Sequence, residues 1–375
     1  MKFWKLAFLL TLVTFACSQK KQTEKKLEAS GVILAFSIDD NTPNVSLGFS
    51  NFHGLLFNIL WQRNEIQIYD IANRGLVKRL AFESEGDQGV GDLFGIHVHN
   101  LDSIFLFGQS APIIYLTDTS GIVKQQLRYV APEGYSTAFV HPSYFLSPPI
   151  VMGDELLAKT HVNGNYREFT NELLRESHMV YAINLTDGNV RFVNHRYPND
   201  YLADGLKHFE PSMAKGKDKI VYSLFGDHRL FYASSFEEEL KSTNAESQYL
   251  DARLKLFPSG GERLETMQYM NTSSRYDNLV YDPYRNLYYR FAYPTLGITD
   301  LNEIQRLRTS PGPFVIMVLD DELNVLGETY FEAGRYMPNN FFIHEDGLYV
   351  SINHPDNPEN DEDMFKFELL KVIEK

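Results

Sequence analysis

The sequence predicts an all-β protein, a six-bladed β-propeller of four-stranded antiparallel blades. Three observations support this: a repeated unit of a tight turn and an apolar strand, a second strand–turn–strand motif after several units, and many aromatic residues. Aromatic side chains make up 14% of the chain, most of them Tyr and Phe, and such rings pack well on a pleated sheet. Six short meanders bury their faces against one another when they are arranged radially, leaving only short protected edges.

The turn-and-strand unit occurs six times along the chain. Its turns lie at residues 54, 103, 155, 219, 286 and 347, so successive turns are 49 to 67 residues apart. This spacing is close to the length of a propeller blade. The predicted strands after these turns are 55–57, 104–107, 156–157, 220–222, 287–289 and 348–350.

The second motif is an alternating strand, an acidic or glycine turn and a further strand. Asp and Gly supply the positive φ angles that tight hairpins need, so each unit is completed as a meander. A pair of β-sandwiches is the alternative, whereas period-2 alternation argues against a helical solenoid. The motif joins 66–70 to 75–77, 113–118 to 121–123, 180–184 to 190, and 314–318 to 325.

Two stretches interrupt this rhythm, and one pairing is expected to close the ring. Residues 166–177 and 236–270 have weak helical spacing and are predicted to be insertions between strands. The strand near 32–38 is predicted to pair with the strand 364–372 of the last blade. Such a pairing joins the two ends of the chain and prevents the ring from opening.

The N-terminus has the layout of a bacterial lipoprotein signal. Lys2 and Lys5 precede a short apolar stretch that ends at Ala16 and Cys17, the only cysteine of the chain. The apolar stretch is too short to span a bilayer, which needs about 20 residues. The predicted organisation is a signal peptide at 1–16, a lipid-anchored flexible tether at 17–30 and the propeller at 31–375. The alternative is an ordinary secretory signal with an incidental cysteine.

Lipidation at Cys17 makes the membrane the first predicted partner. Ser18 is not an acidic inner-membrane retention residue, and the tether has no acidic run typical of surface export. We therefore expect a cell-envelope protein on the outer membrane, on the periplasmic face rather than the surface.

The charge excludes one class of function, and the absence of motifs disfavours others. Residues 1–16 contain two lysines and no acid, so their removal changes the net charge from −14 to −16. Nucleic acid is not an expected partner, because phosphate contacts need clustered Lys and Arg. The propeller has no cysteine for a disulfide or for thiol chemistry. Nucleophile-elbow, zinc-helix and P-loop motifs are absent from the sequence, and no cofactor is predicted.

Two segments of the chain have a recognisable sequence. The segment 274–291 reads Ser-Arg-Tyr-Asp-Asn-Leu-Val-Tyr-Asp-Pro-Tyr-Arg-Asn-Leu-Tyr-Tyr-Arg-Phe, and the segment 80–91 is rich in glycine and acidic residues. The first resembles the signature of an uncharacterised bacterial lipoprotein family, a domain of unknown function with a predicted six-bladed propeller. The second is similar to that family's glycine-rich entry into blade two, with Asp87 where the family often has Pro. The resemblance implies a propeller and an anchored, extracytoplasmic protein, and it implies no activity.

Two Arg–Tyr pairs are the main candidates for ligand binding. Tyr276 and Tyr336 each stand ten residues before a turn residue, Asn286 and Asp346, so both pairs are expected near one mouth of the channel. An Arg offers a rigid fork for a carboxylate or sulfate, and a Tyr offers a stacking face with a polar tip. An anionic sugar or a peptide would suit them. The alternative is that the pairs lock neighbouring blades together. The candidate residues are Arg275, Tyr276, Arg335 and Tyr336, with Tyr135 and Tyr201 before other inner strands.

The metal candidates are weaker, and no metal site is predicted. His97 and His99 are two apart on a predicted inner strand, so they share one face and could bind a metal as neutral imidazoles. Histidines in the core or on the surface are the alternative. His141, His208 and His344 lie near equivalent strands and would form a histidine-rich funnel. The acidic run 356–363 could hold calcium, but it lacks regular ligand spacing and is interpreted as a solvated loop.

These observations favour a lipid-anchored propeller that binds a ligand or protein partner at its channel mouth, without catalysis. A propeller hydrolase or lyase acting on an envelope or environmental carbohydrate is one alternative. A structural subunit of an envelope complex is another. The fold by itself does not select among them.

Overall fold

The computed structural model describes residues 24–109, 111–258, 260 and 262–374. It is an all-β fold of six four-stranded antiparallel sheets, one for each blade of a propeller. The predicted fold class is therefore confirmed. The signal peptide and Cys17 lie outside the described residues.

The strands follow the chain around the ring, so that each blade is a simple meander. The first strand is β1 (Lys25–Ser37). Blade one contains β2 (Phe49–Phe52), β3 (Leu55–Leu60), β4 (Glu65–Asp70) and β5 (Gly75–Ala81). Blade two contains β6 (Leu93–Asn100), β7 (Ser103–Gly108), β8 (Ile113–Thr117) and β9 (Gln125–Arg128). Blade three contains β10 (Ile150–Met152), β11 (Glu155–Lys159), β12 (Val180–Asn184) and β13 (Val190–Phe192).

The remaining three blades repeat this pattern. Blade four contains β14 (Pro211–Lys215), β15 (Ile220–Leu224), β16 (Arg229–Ala233) and β17 (Lys241–Asn244). Blade five contains β18 (Arg275–Asp282), β19 (Leu287–Tyr293), β20 (Phe314–Leu319) and β21 (Val325–Phe331). Blade six contains β22 (Met337–His344), β23 (Gly347–Ser351) and β24 (Met364–Glu374), and β1 is its fourth strand.

The ring is closed by the two ends of the chain. β1 pairs antiparallel with β24, from Lys25 opposite Glu374 to Ser37 opposite Met364, with an irregularity between Ala29 and Ile33. The predicted closure is confirmed, although the strand begins earlier than predicted.

The predicted boundary between tether and propeller needs a correction. Residues 25–30, assigned to the tether, form the first half of β1. Leu27 is the physical reason, because its side chain is buried in the core between blades five and six. Its backbone N–H donates to the Thr329 hydroxyl at 2.8 Å, and the same hydroxyl donates to its carbonyl at 3.1 Å.

The propeller has two unlike faces. We call the face where the innermost strands β2, β6, β10, β14, β18 and β22 begin the upper face, and the opposite one the lower face. The helical insertions α1 (Asn171–Arg175), α2 (Arg263–Thr272) and α3 (Leu301–Arg306) join strands at the upper face. Lys25 pairs with the end of β24, and the third strand of a blade ends at the lower face. The chain therefore enters β1 at the lower face.

Two strand predictions differ from the structure. Residues 236–270, predicted as one insertion, include the outermost strand β17, and 121–123, predicted as a strand, precede β9. Both outer strands are short and mostly exposed. β17 buries no side chain and β9 buries only Leu127, so neither strand carries an apolar alternation that could be recognised in the sequence.

Blades four and five are joined by a buried cation. The Arg290 side chain on β19 is 0% exposed, and its guanidinium carbon lies 3.3 Å from the centre of the Tyr276 ring. Burial lowers the pKa of Arg290 to about 10. The guanidinium donates across the blade boundary to the Ser223 hydroxyl at 2.9 Å and to the carbonyls of Asp227, His228 and Ala245 at 2.7–2.9 Å.

Replacing Arg290 should destabilise the ring strongly. R290M keeps most of the side-chain volume but leaves a buried hydroxyl and buried carbonyls without donors, so we expect a loss of at least about 3 kcal/mol in the free energy of unfolding. Guanidinium unfolding measures it. R63M, on an exposed arginine of the 3₁₀ turn Trp61–Arg63, is the control and should change little. Equal stability of the two variants would contradict the role of Arg290.

Candidate functional site

A cavity of about 710 Å³ opens on the upper face at the mouth of the channel. Loops and strand ends of several blades contribute to it, and we call it the central cavity. Its charged and titratable lining residues include His141, His208, Glu210, Arg275 and Asp277, with Arg263 and Arg308 on the helical insertions and their flanks. Convergent polar groups in a cavity of this size are typical of a ligand site.

Glu210, a lining residue of the central cavity, forms an ion pair with the buried Lys159. The Lys159 ammonium, 1% exposed, lies 2.7 Å from the Glu210 carboxylate and also donates to the Phe145 carbonyl at 3.0 Å. Burial raises the pKa of Glu210, but the charge and the hydrogen bond of Lys159, together with the nearby His208 and His141, outweigh it and hold that pKa below its usual range. Glu210 is therefore ionised and neutralised by Lys159.

His208 is the least satisfied group near this ion pair. Its Nε2 atom is buried and has no hydrogen-bond partner among the described residues, and it lies 3.9 Å from the second oxygen of Glu210. Burial lowers the pKa of His208 to about 4, so the imidazole is neutral at pH 7. A buried polar atom without a partner is uncommon in proteins and calls for an explanation. A ligand in the cavity could supply the missing partner.

The predicted histidine funnel forms in part. His141 and His208 both line the central cavity, whereas His344 lies at the lower face, 3.2 Å from Asp346. The Nδ1 atom of His141 accepts from the backbone N–H groups of Ser143 and Tyr144 at 3.1 and 3.0 Å, so its proton is on Nε2. Burial lowers the pKa of His141 to about 4.

Asp277 lines the same cavity, and the pKa of its carboxyl group is raised. It is 4% exposed, and one oxygen accepts from the Phe145 N–H at 2.8 Å. Burial raises its pKa to about 6, and the negative charge of Glu210 adds to this, while Arg275 and Lys159 act in the opposite direction. The carboxyl therefore changes its protonation state just below neutral pH.

Arg275 faces the cavity without a carboxylate partner. Its guanidinium carbon lies 4.2 Å from the centre of the Tyr293 ring, and it donates to the carbonyls of Asn271 and Ser273 at 3.3 and 3.4 Å. Arg263 and Arg308 also line the cavity. Among the residues that the structure describes, none of these three arginines forms an ion pair with Asp or Glu.

The second Arg–Tyr pair lies elsewhere and has a structural role. Arg335 and the Tyr336 hydroxyl both donate to the Glu368 carboxylate of β24, at 2.9 and 2.7 Å. Tyr276 is also structural, because it is fully buried against Arg290. Glu368 belongs to the same blade as the strand that follows Arg335 and Tyr336, so this contact fixes blade six. The prediction that both pairs reach the channel mouth is corrected to Arg275 alone.

The two other predicted tyrosines do not line the central cavity. The Tyr135 hydroxyl accepts from the backbone N–H of His178 at 3.2 Å, and its ring packs 4.7 Å from that of Phe192. Tyr201 is fully buried, so its side chain cannot contact a ligand. Its hydroxyl donates to the carbonyl of His208, which makes it a positioning residue for that imidazole.

The weak metal candidates His97 and His99 lie together on β6 of blade two. The rings of His97 and His99 lie 6.3 Å apart, and that of His97 stacks 6.1 Å from Phe105. Within residues 24–109, 111–258, 260 and 262–374, no group of three or more His, Cys, Asp and Glu is placed to hold a metal ion. In the acidic run, Asp356 pairs with Arg306 and Glu359 pairs with Arg335.

Sequence reasoning missed Lys159, Glu210, Asp277 and Arg308. Lys159 ends β11, Glu210 directly precedes β14, Asp277 lies near the start of β18 and Arg308 follows α3, and no local motif marks any of them. They meet only because the ring brings together loops that are far apart in the sequence. The one local signal is the alternation of His208 and Glu210 directly before β14.

The fold is shared with solved structures. A family model described as a domain of unknown function, DUF4221, matches residues 26–330. The crystal structure of a member of that family from Bacteroides vulgatus is 24% identical, covers 95% of this chain and 100% of its own, and has a TM-score of 0.85. A Bacteroides fragilis protein named as a predicted exported protein is 11% identical over 93% and 95% of the chains, with a TM-score of 0.55.

At these identities the structural matches show the fold alone. No protein of curated function matches the chain. In the part of the chain that is described, no helix is long and apolar enough to cross a membrane.

The altered acidity of Asp277 predicts a pH-dependent stability. Its pKa of about 6 in the folded protein exceeds the ordinary value of 3.8. The stability of the folded protein therefore falls as the pH rises from about 4 to 6, and it stays at the lower level above pH 6. D277N keeps the acceptor for the Phe145 N–H and removes the buried charge. We expect it to stabilise the protein at pH 8 by about 2–3 kcal/mol, with the gain disappearing near pH 4.

Thermal unfolding between pH 4 and pH 8 measures this difference. D39N is the matched control, because a hydrogen bond from Thr42 lowers the pKa of Asp39 and its substitution should not stabilise at pH 8. A D277N effect that does not vary with pH would contradict the assignment.

Proposed function

The chain belongs to the DUF4221 family, whose function is not established, and we propose that it is a lipid-anchored extracytoplasmic propeller that binds an anionic ligand in its central cavity. The ligand is a component of the cell envelope, a glycan, a peptide or an exposed segment of a protein partner. The protein acts as a binding module rather than as an enzyme.

The observation that carries this proposal is the set of unpaired arginines. The chain has a net charge of −14, with acids available to neutralise exposed arginines. Yet Arg263, Arg275 and Arg308 line one cavity with no ion-pair partner among the described residues. A guanidinium presents planar donors that match a carboxylate or sulfate. The Lys159–Glu210 pair is internally neutral, so the arginines dominate the charge of the lining.

A propeller hydrolase or lyase is the second candidate, and one observation favours it. Asp277, with a pKa of about 6, lies in the same cavity as neutral imidazoles. Groups with such pKa values can exchange protons with a substrate near neutral pH. Turnover of a bound ligand that disappears in D277N would select this candidate over the binding module.

The strand order supports a particular orientation on the membrane. Cys17 precedes Glu24 by seven residues, which extend over at most about 25 Å. The chain enters β1 at the lower face, and the central cavity opens on the upper face. A lipid at Cys17 therefore holds the lower face near the bilayer and directs the cavity toward the aqueous compartment.

The arginine hypothesis predicts a selective loss of binding. In a screen of the full chain, purified in detergent, against envelope glycans and peptides, R275A should weaken binding of the anionic hits roughly tenfold, because one charge-assisted contact is lost. Isothermal titration calorimetry measures the affinity.

The chain offers a matched control in R335A. Arg335 forms its ion pairs with Glu359 and Glu368, away from the cavity, so this variant should keep full affinity. If R275A and R335A have the same affinity for every hit, the cavity is not the binding site.

The anchor predicts an asymmetric distance to the bilayer. Cys17 is the only cysteine and is consumed by lipidation, so one introduced cysteine can be labelled alone. We expect a fluorophore at Y284C, in a turn of the lower face, to transfer energy to membrane acceptors more efficiently than one at V130C on the upper face. The native side chains are 54% and 82% exposed.

C17S is the control for the anchor, and it should not remain bound to vesicles. Membrane binding that persists in C17S would refute lipidation as the anchor. Equal energy transfer from the two labels would refute the orientation.

A further inference from the structure

We propose that the ligand is an acidic oligosaccharide, held by at least two adjacent sugar rings. Its carboxylate or sulfate lies in the central cavity near Arg275 and Arg308, and a neighbouring ring lies against Tyr144 and Trp61. This proposal rests on the proposed function and names the class of ligand that would bind at the same mouth of the channel.

A second cavity extends the site along the upper face. It has a volume of about 320 Å³, and we call it the side cavity. It shares lining residues with the central cavity, so the two are adjacent. Together they offer an elongated site with one charged part and one part rich in aromatic and amide groups. The shared residues are Tyr144, Leu307, Arg308, Pro311 and Asn339.

Two aromatic rings of the side cavity are exposed. Trp61 is 50% exposed and Tyr144 is 38% exposed, although large aromatic residues are mostly buried in proteins. An exposed aromatic face beside a polar cavity suits a ligand that has an apolar face and polar edges. A sugar ring has both, because its C–H groups form one face and its hydroxyls point outward.

The backbone that carries each of these rings is held in place by the fold. Trp61 begins a 3₁₀ turn that ends at Asn64 in the left-handed conformation. The Asn64 side chain donates to the Gly91 carbonyl at 2.6 Å and accepts from the Leu93 N–H at 2.7 Å, which ties the turn to blade two. The backbone of Tyr144 is fixed by the hydrogen bond from its N–H to the Nδ1 atom of His141. Such preorganised surfaces lose little entropy on binding.

The polar groups of the site suit hydroxyls as well as an acid. The Asn339 side chain, which lines both cavities, accepts from the Tyr293 hydroxyl at 3.3 Å and hydrogen-bonds the Tyr144 hydroxyl. The buried His208 Nε2 is without a partner in the described chain. A hydroxyl can donate or accept and therefore satisfies this nitrogen in either tautomer. A purely apolar ligand would leave it unsatisfied.

Charge separates this ligand from a nucleic acid. Stacking rings and arginines also occur in nucleic-acid sites, but such sites need a basic track for successive phosphates. Here Asp356 of the acidic run 356–363 pairs with Arg306, which is next in sequence to the lining residues Gln305 and Leu307. A short glycan with few negative charges is repelled less by these acidic residues than a polymer of phosphates.

The experiment compares ligands that differ in one property. The probes are trigalacturonic acid, its neutral trimethyl ester, a sulfated disaccharide from heparin and tri-glutamate, titrated into the full chain in detergent. We expect trigalacturonic acid or the sulfated disaccharide to bind, and the ester to bind at least tenfold more weakly. Comparison of trigalacturonic acid with the sulfated disaccharide distinguishes a carboxylate from a sulfate.

Variants at the two parts of the site then separate their contributions. R275A should weaken the acidic sugar and leave the residual binding of the ester unchanged, whereas Y144A and W61A should weaken both. R335A is the control for charge, and Y284A, an exposed tyrosine on the lower face, is the control for the aromatic substitutions. Circular dichroism shows that each variant is folded.

Two failures have different meanings. If tri-glutamate or another peptide binds in an R275A-sensitive manner and no acidic sugar does, the proposed function stands and the glycan class is wrong. If glycans bind with equal affinity to R275A, Y144A and the wild type, both proposals are wrong.

Discussion

The pairing of β1 with β24 is the constraint on which the rest of the structure depends. It runs from Lys25 opposite Glu374 to Ser37 opposite Met364 and joins segments more than 300 residues apart in the sequence. Without it, blade six would lack its outer strand and β24 would present an unpaired edge. The central cavity depends on the same closure, because loops far apart in the chain reach it only when the ring is complete.

The positively charged side chains Arg290 and Lys159 have their partners within the protein, whereas Arg275 has no carboxylate partner among the described residues. This difference distinguishes structural residues from a candidate binding residue. Arg290 donates to carbonyls and a hydroxyl of the next blade, and Lys159 is neutralised by Glu210. The hydrogen-bonding groups and charges of both side chains are therefore satisfied without a ligand. Arg275 rests on the Tyr293 ring with only long contacts to carbonyls. Its unused donors are the reason that it, rather than Arg290 or Arg335, marks the site.

The sequence predicted the ring better than the site. Strands such as β7 and β20 have strong apolar patterns between turns, and these patterns revealed the repeat, the blade number and the closure. The outer strands β9 and β17 are mostly exposed and lacked such a pattern. Arg275 and Arg335 precede similar tyrosines, yet the first faces a cavity and the second binds Glu368. That difference depends on which side chains the folded ring places beside each arginine, which no local spacing encodes.

The helical insertions of the upper face have a consequence for how such a protein can diversify. α2 supplies Arg263 to the central cavity, and the segment after α3 supplies Leu307 and Arg308. Neither helix contributes a strand to a blade. Changes in these segments could therefore alter which molecule is recognised while the sheets that hold the ring together stay the same. Relatives with the same ring could thus differ in what they recognise, and the residues to compare among them are those of the insertions.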